Sequence, residues 1–413
     1  MTLSAPRPSI RFNPFSAEFR RDPYPAYRAL RESRPVHKTL GMWVLTRHAD
    51  ARTVLHDKSF SAGLIPRLVT EQARRLGQPE VARIERLGRT SLVFTDNPEH
   101  ARLRGLVNKV FTARTIATLE PLVASIADRL LRPAIAAGRA EVITDLAGPL
   151  PVAVLCEWMA LPPALHAWVG GWTHDIRFLL EPGLMKAEDL TRVRTVVELF
   201  ADALAEVLAE RRAAPGDDLI SRLLAARTAG GDRLTDEELI FVCIMCFVAG
   251  TETTKSLIGT ATLALLRHPD QAAMVRRSPD SLRAAVAEAL RYDAPLQLTK
   301  RLATRDVTIG GETIRAGEHV LVCLGAANRD PEIFARPDEF DITRTPGNHL
   351  AFGHGMHGCL GGALAELQTR IALDALLRRH PRLATPAGDF AWQEHSFLLR
   401  GLDSLPVSFG ASR

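Results

Sequence analysis

Hydrophobic and polar positions recur with two different periods along the chain, and these periods divide it into helical and extended stretches. Asp22 to Leu55 reads as a short helix, DPYPAYRALRES, followed by strands in PVHKTLGMWVLTRH. In the second piece apolar and polar residues partly alternate, and Gly41 supplies a turn. From about Thr112 to Arg212 the pattern is mostly helical, with Ile116, Leu119, Leu122, Val123, Ile126 and Leu130 on one face. Pro162-Pro163 and Pro182-Gly183 interrupt this region, and a second break runs from Pro215-Gly216 to Gly231 around a short helix. A very long helix is predicted from Leu234 to about Leu266. Thr235 and Glu238 match a capping box at its start, and it would span roughly 50 Å. Being apolar almost all round, it must cross the core rather than lie on it.

A helix over Ser281 to Tyr292 follows, then the strands LQLTKRLA, VTIGGETI and EHVLVCLGAAN, with Gly310-Gly311 where a hairpin turn belongs. The chain closes with a glycine-rich loop from Gly353 to Gly362, a helix to about Arg379 and a short β-like tail. There is no internal repeat and no linker separating independent domains. One domain over residues 1–413 is therefore expected, with a short N-terminal extension of about 14 residues.

Composition changes this picture little. The 413 residues are 46% hydrophobic and 24% charged, as in an ordinary folded protein. The 52 Lys and Arg exceed the 47 Asp and Glu by only five charges, and no basic run carries interleaved aromatics. Nucleic acid is not an expected partner; a local basic patch would suit an acidic protein. The five cysteines, Cys156, Cys243, Cys246, Cys323 and Cys359, are odd in number and irregular in spacing. That argues against a secreted disulfide framework and for a reduced cytoplasmic setting. The polar, proline-rich start lacks the apolar core of a signal peptide. The longest unbroken apolar stretch, Leu239 to Ala249, is too short to span a bilayer, so no membrane span is expected.

The informative segment is Phe352-Gly353-His354-Gly355-Met356-His357-Gly358-Cys359-Leu360-Gly361. Several readings compete for it. Gly353-x-Gly355-x-x-Gly358 formally matches a dinucleotide fingerprint, but PGNHLA before it makes a poor strand, and Asp374, the acid at the right distance, lies inside a helical run. His354, His357 and Cys359 could be zinc ligands, but they crowd into one loop without a second cluster. Cys359 could be an inert buried thiol. A haem-thiolate site explains more of the residues. Glycines let the backbone approach a flat macrocycle. A helix begins directly after Cys359, so free N–H groups would stabilise a thiolate. Thiolate ligation in turn favours O–O cleavage at iron.

At this point the sequence resembles the cytochrome P-450 family, specifically its soluble bacterial members. The loop matches F-G-x-G-x-H-x-C-x-G at every fixed position, and the resemblance runs from the helix at Asp22-Pro23 to the tail. Glu288-x-x-Arg291, about 70 residues ahead of the cysteine, matches the family's structural pair, with Arg344 in FDITR as candidate third partner. Ala249-Gly250-Thr251-Glu252-Thr253-Thr254 interrupts the long helix with residues of poor helix propensity. In the family this site faces the haem, and Glu252 and Thr253 match an acid–alcohol pair that stabilises dioxygen and relays protons. His100 and Arg104, four apart on one helical face, resemble the propionate clamp together with Arg301 and His357. Cys243 and Cys246 read as core residues. One departure is Glu366, where many relatives carry Arg or Lys; it puts the family's usual docking charge in doubt.

The resemblance implies a mainly α fold, an α-rich triangular prism with a small β-rich lobe. It implies haem b with Cys359 as axial ligand, and insertion of one oxygen atom into a small organic molecule. Electrons would come from NAD(P)H through a separate reductase and a ferredoxin or flavodoxin, docking over a basic cluster of Arg102, Lys109 and Arg114. A monomer in the cytoplasm is expected. Family topology places pocket walls at Leu92, Phe94, Phe247, Val248, Ala249, Leu296, Leu298, Phe397 and Leu398; being mostly apolar, these suit a mid-sized apolar or amphipathic substrate. A peroxide-driven enzyme is the alternative within the class, and a non-enzymatic haem sensor the alternative outside it. Neither has evident need of Glu252 and Thr253.

Overall fold

Thr235 and Glu238 do form a capping box: Thr235 Oγ1 accepts from Glu238 N at 3.2 Å, and the Glu238 carboxylate accepts from Thr235 N at 2.8 Å. They start a 32-residue helix, Asp236–Arg267, most of whose residues are buried. The computed structural model describes residues 12–345, 347–385, 388 and 390–410, so most of the expected N-terminal extension lies outside the described residues. This central helix packs against Pro149–Trp158, Pro163–Ile176, Ala187–Ala213, Asp280–Tyr292 and Gly362–Leu373. It is also the one helix among the described residues long and apolar enough to cross a membrane by length and composition. Here its apolar surface is spent on the core of the fold.

The helical face expected after Thr112 is found with one adjustment. The stretch after Thr112 is broken into Ala113–Ala117 and Glu120–Ala136, and Leu131 rather than Leu130 is fully buried. The 3.6-residue period puts Val123, Ile126, Ala127, Leu131 and Ala134 on one face, one position past the expected stripe at its end.

The β-rich lobe is a five-stranded sheet whose order is Val36–Thr39, Met42–Leu45, His319–Cys323, Leu298–Ala303, Phe60–Ser61. The first pair is a hairpin turning at Leu40-Gly41, with Gly41 at φ +73°. Met42–Leu45 and His319–Cys323 run parallel, and the other pairs antiparallel. Gly310 and Gly311, at φ +56° and +86°, form the two-residue turn of the predicted hairpin. Leu298–Ala303 carries Arg301.

Candidate active site around the cysteine loop

Gly355 shows why the loop needs glycine. It sits at φ +70°, and a Cβ there would meet Leu55 O at 2.8 Å and His56 Cα at 3.1 Å. The loop is closed by Cys359 N donating to Phe352 O at 2.8 Å. Helix Gly362–Leu373 follows at once, and the N–H groups of Gly361 and Gly362 donate to the cysteine sulfur. Burial pushes the Cys359 thiol up, while these amides and Arg104 pull it down. Cys359 nevertheless keeps exposed surface although protein atoms surround it, as a residue lining an internal cavity does.

The central helix shows the same signature. Ala249 is exposed, and Gly250 and Thr253 are half-buried, between turns that are almost entirely buried. Thr253 Oγ1 donates to Ala249 O at 2.7 Å, one turn back. The Glu252 carboxylate turns away toward Lys255 Nζ at 3.4 Å and His174 Nδ1 at 3.7 Å. Burial works to raise its pKa, but His174, Lys255 and Arg177 together bring it down to about 2.

The four expected clamp residues come together. The rings of His100 and His357 lie 4.4 Å apart, and Arg104 donates to Gly358 O at 2.8 Å. Arg301 is 7% exposed, and its guanidinium reaches only Thr299 Oγ1 and the Lys300 carbonyl. His100 Nε2 and His357 Nε2 are buried without a hydrogen-bond partner. Burial, then His357 and Arg104, push His100 down to about 4. Basic groups gathered around two histidines with unpartnered ring nitrogens, and Arg301 linked to them through Asp96, are a fitting seat for the two anionic propionates of haem. A residue the sequence reading missed, Asp96, completes the cluster: its carboxylate lies 3.6 Å from His357 Nε2 and accepts from the Ser61 hydroxyl and Ala62 N. Its signal was its place four residues ahead of His100.

Beneath the loop, Glu288 and Arg291 are 4% and 2% exposed and form a bidentate pair at 2.7 and 2.8 Å. Arg291 also donates to the carbonyls of Asn328, Pro337 and Glu339, and Glu288 accepts from Asp341 N. Arg344 Nε lies 3.4 Å from Glu288, with further donations to Ala335 O and Arg336 O. The pair thus ties the helix Asp280–Tyr292 to the segment leading into the cysteine loop.

Three expectations need correction or narrowing. Phe247 and Leu298 have no accessible surface: Phe247 packs on Phe200 at 5.5 Å, and Leu298 sits in a small core with Val44 and Leu321. Neither lines a cavity. Phe94 and Val248 do line a narrow apolar cleft of about 20 Å³, with Ile65, Leu87, Leu179 and Met245. Leu92 is half-buried, Leu296 pairs with Leu399 in an isolated bridge, and Phe397 and Leu398 are buried near the Arg177–Leu184 segment through Glu181. Arg102 is not a free docking charge, because Glu99, Asp232 and Glu238 surround it. The zinc reading fails on placement: His354 turns to Arg52 and His357 to His100 and Asp96, away from a shared centre with Cys359. Cys243 is core, and Cys246 is half-buried beside it.

Comparison with known proteins agrees with this arrangement. The family profile described as Cytochrome P450 matches residues 176–400. The chain is 39% identical over 402 residues to 6-deoxyerythronolide B hydroxylase of Saccharopolyspora erythraea, covering 95% of this chain and 97% of that one. It is 37% identical over 402 residues to vitamin D(3) 25-hydroxylase of Pseudonocardia autotrophica, covering 96% of each. Among solved structures it resembles CalO2 with a TM-score of 0.89 and 39% identity, covering 97% of this chain and 98% of that one.

Proposed function

The chain belongs to the cytochrome P450 family, and from that premise we propose that the Cys359 thiolate would hold the iron of its haem. As a member it is a P450 monooxygenase that uses haem b and NAD(P)H-derived electrons passed through a partner. The observation that carries the assignment is the accessible surface kept at Cys359 and at Ala249, Gly250 and Thr253, on a loop and a helix joined by the packing of the central helix on the helix Gly362–Leu373. We take these as opposite walls of one cavity, with the haem between them.

When bound, the haem supplies activation of dioxygen and transfer of one oxygen atom to an organic substrate. The chain's residues do the rest. Cys359 would hold the iron, with the amides of Gly361 and Gly362 favouring its thiolate. His100, Arg104, Arg301 and His357 would hold the propionates, with Asp96 beside His357 to orient it. Glu288, Arg291 and Arg344 keep the loop's approach rigid. On the distal side Thr253 presents a hydroxyl that is already committed as donor to Ala249 O, so its lone pairs face the cavity as acceptors that order a proton-bearing water. Glu252 brings the proton.

The substrate reading is a mid-sized apolar or amphipathic molecule. The apolar character of Phe94, Met245 and Val248 supports it, as do relatives whose names give 6-deoxyerythronolide B and vitamin D(3) as the molecules hydroxylated. A ferredoxin or flavodoxin donor, a monomeric state, a single domain and a cytoplasmic setting complete the proposal. The test is a reduced carbon monoxide spectrum of the haem-loaded chain, followed by turnover of a terpenoid, steroid and macrolide panel with a surrogate ferredoxin and reductase. A red-shifted thiolate Soret band with oxygenated product is expected. A band at the position given by an imidazole ligand would overturn the assignment of Cys359.

A further inference from the structure

His174 Nδ1 lies between an acceptor and a donor: Glu252 Oε1 is 3.7 Å away and Arg177 Nε 3.4 Å. The ring stands at the end of helix Pro163–Ile176, with its side chain 51% exposed, while the Glu252 side chain is 11% exposed. One side of the imidazole thus meets solvent and the other meets a buried carboxylate. Arg177 is itself 4% exposed and, among the described residues, has no carboxylate within 4.0 Å. Its hydrogen-bonding contacts are the two ring nitrogens of His174 at 3.4 and 3.5 Å, and its guanidinium lies 4.5 Å from the Phe178 ring centroid.

We propose that His174 is the proton-handling partner of Glu252, its Nδ1 alternating between donating to that carboxylate and accepting from Arg177. The proposal rests on the reading of Glu252 as the acid of the distal pair, and adds the group through which that acid meets solvent. With both nitrogens protonated, His174 attracts the Glu252 anion. When the Nδ1 proton passes to Glu252, through a small rotation or one bridging water, imidazolium and carboxylate become neutral imidazole and neutral acid; because the surrounding cations favour the carboxylate, the neutral acid is a transient state. The ion pair dissolves in the step that loads the acid. Nδ1 then accepts from Arg177, and the neutral carboxyl group is free to turn toward Thr253. The ring recovers its proton from solvent. No electrons move, and one proton enters for each one delivered.

The neighbouring charges come from every element around the ring. The central helix supplies Glu252 and Lys255. The segment after the helix supplies Arg177, and Asp175 is engaged by Arg192 at 2.8 Å. The C-terminal segment supplies His395, whose ring centre is 6.3 Å away, paired with Asp403 at 3.8 Å. Glu181 acts only through Arg177 and is held by the backbone of Phe397 and Leu398. Burial and Arg177 push His395 down to about 4, which keeps that ring neutral near pH 7.

The test uses the full-length, haem-loaded chain. NMR of labelled histidine side chains in the ferrous carbon monoxide form reads the His174 titration directly, assigned by its loss in His174→Gln. Glu252→Gln is expected to lower the midpoint by about 1 unit, as loss of a nearby anion does; Arg177→Met is expected to raise it. In parallel, NADH consumed through a surrogate ferredoxin and reductase, without added substrate, is divided into hydrogen peroxide and water over the range in which histidine titrates, around pH 6.5. His174→Gln is expected to raise the peroxide share severalfold and to remove the inflection, whereas His395→Gln keeps it. A wild-type pH profile in His174→Gln, or a His174 midpoint indifferent to Glu252→Gln, overturns the proposal. An unchanged peroxide share in Glu252→Gln overturns the reading of the acid itself, which the NMR result tells apart.

Discussion

Glu288 and Glu252 are both carboxylates on buried helices, 4% and 9% exposed, yet their surroundings differ. Glu288 receives two hydrogen bonds from Arg291, one from Asp341 N and a longer contact from Arg344. Glu252 has only the contacts to Lys255 and His174, at 3.4 and 3.7 Å. A carboxylate whose lone pairs are filled by short bonds is held in one place and one protonation state. One held by a few longer contacts can exchange partners more readily, although the cations around Glu252 favour its ionised form. The side of the core that carries the cysteine loop is built for fixity, and the distal wall for traffic. Substitutions on the two sides should therefore fail in different ways.

The largest effect is expected on the fixed side, at its end point. Cys359→Ala removes the only thiol in the loop, and its haem-loaded protein should lose the red-shifted carbon monoxide band altogether. Retention of that band would break the comparison at its root, since the loop would then be fixing something other than a ligand.

Next comes Glu288→Ala or Arg291→Ala. Each leaves one buried charge without its partner, at a cost of about 3–5 kcal/mol. The expected outcome is poorly folded, haem-deficient protein, read by thermal unfolding and haem content. Arg344→Ala should cost less, because its contact to Glu288 is longer and its other bonds are to the carbonyls of Ala335 and Arg336. Normal haem loading in all three would show the network to be dispensable.

The distal side should fail without unfolding. In Thr253→Ala the lost bond to Ala249 O is a helix back-bond that contributes little to stability. Thermal stability and haem content should stay close to those of the parent, while more hydrogen peroxide is released per NAD(P)H consumed. Unchanged yield of product per electron pair would remove Thr253 from proton delivery.

The same division explains what could be read from the residues alone. Fixed features rest on local spacing: the capping box at Thr235, the hairpin at Gly310-Gly311, the cysteine loop and the Glu288/Arg291 pair all lie within a few residues of themselves. Features set by distant contacts were not legible. Asp96 joins the clamp through Ser61 and His357, which only folding brings to it. Arg102 looked free until Asp232 and Glu238, more than a hundred residues on, closed around it. Phe247, Val248 and Ala249 are consecutive in a helix, so they point about 100° apart and cannot share one wall. Phe247 takes the core side against Phe200, and Ala249 keeps the exposed one. A periodicity argument gives the spacing of a face, but its absolute phase depends on the neighbour that covers it.

The smallest effect is expected at the surface, where neither fixity nor proton traffic is at stake. With Arg102 committed to three carboxylates, Lys109 and Arg114 remain of the basic cluster. Both are exposed, and among the described residues neither has a carboxylate within 4.0 Å; Lys109 donates to the Arg227 carbonyl. Glu366, also exposed, has Arg283 as its nearest compensating charge. Exposed charges steer an approaching partner more than they hold it, and salt screens them over about 8 Å at physiological ionic strength. Charge reversal by Lys109→Glu or Arg114→Glu should thus slow first-electron transfer from an acidic ferredoxin and flatten its salt dependence. Folding, haem content and substrate affinity should not change, because no buried partner is lost. Glu366→Arg should act in the opposite sense if it shares the docking face. Stopped-flow reduction across a salt series reads both rate and slope. A rate indifferent to salt and to all three substitutions would place docking elsewhere on the molecule, and the loss of haem in any of them would mean that the fixed region extends to the surface.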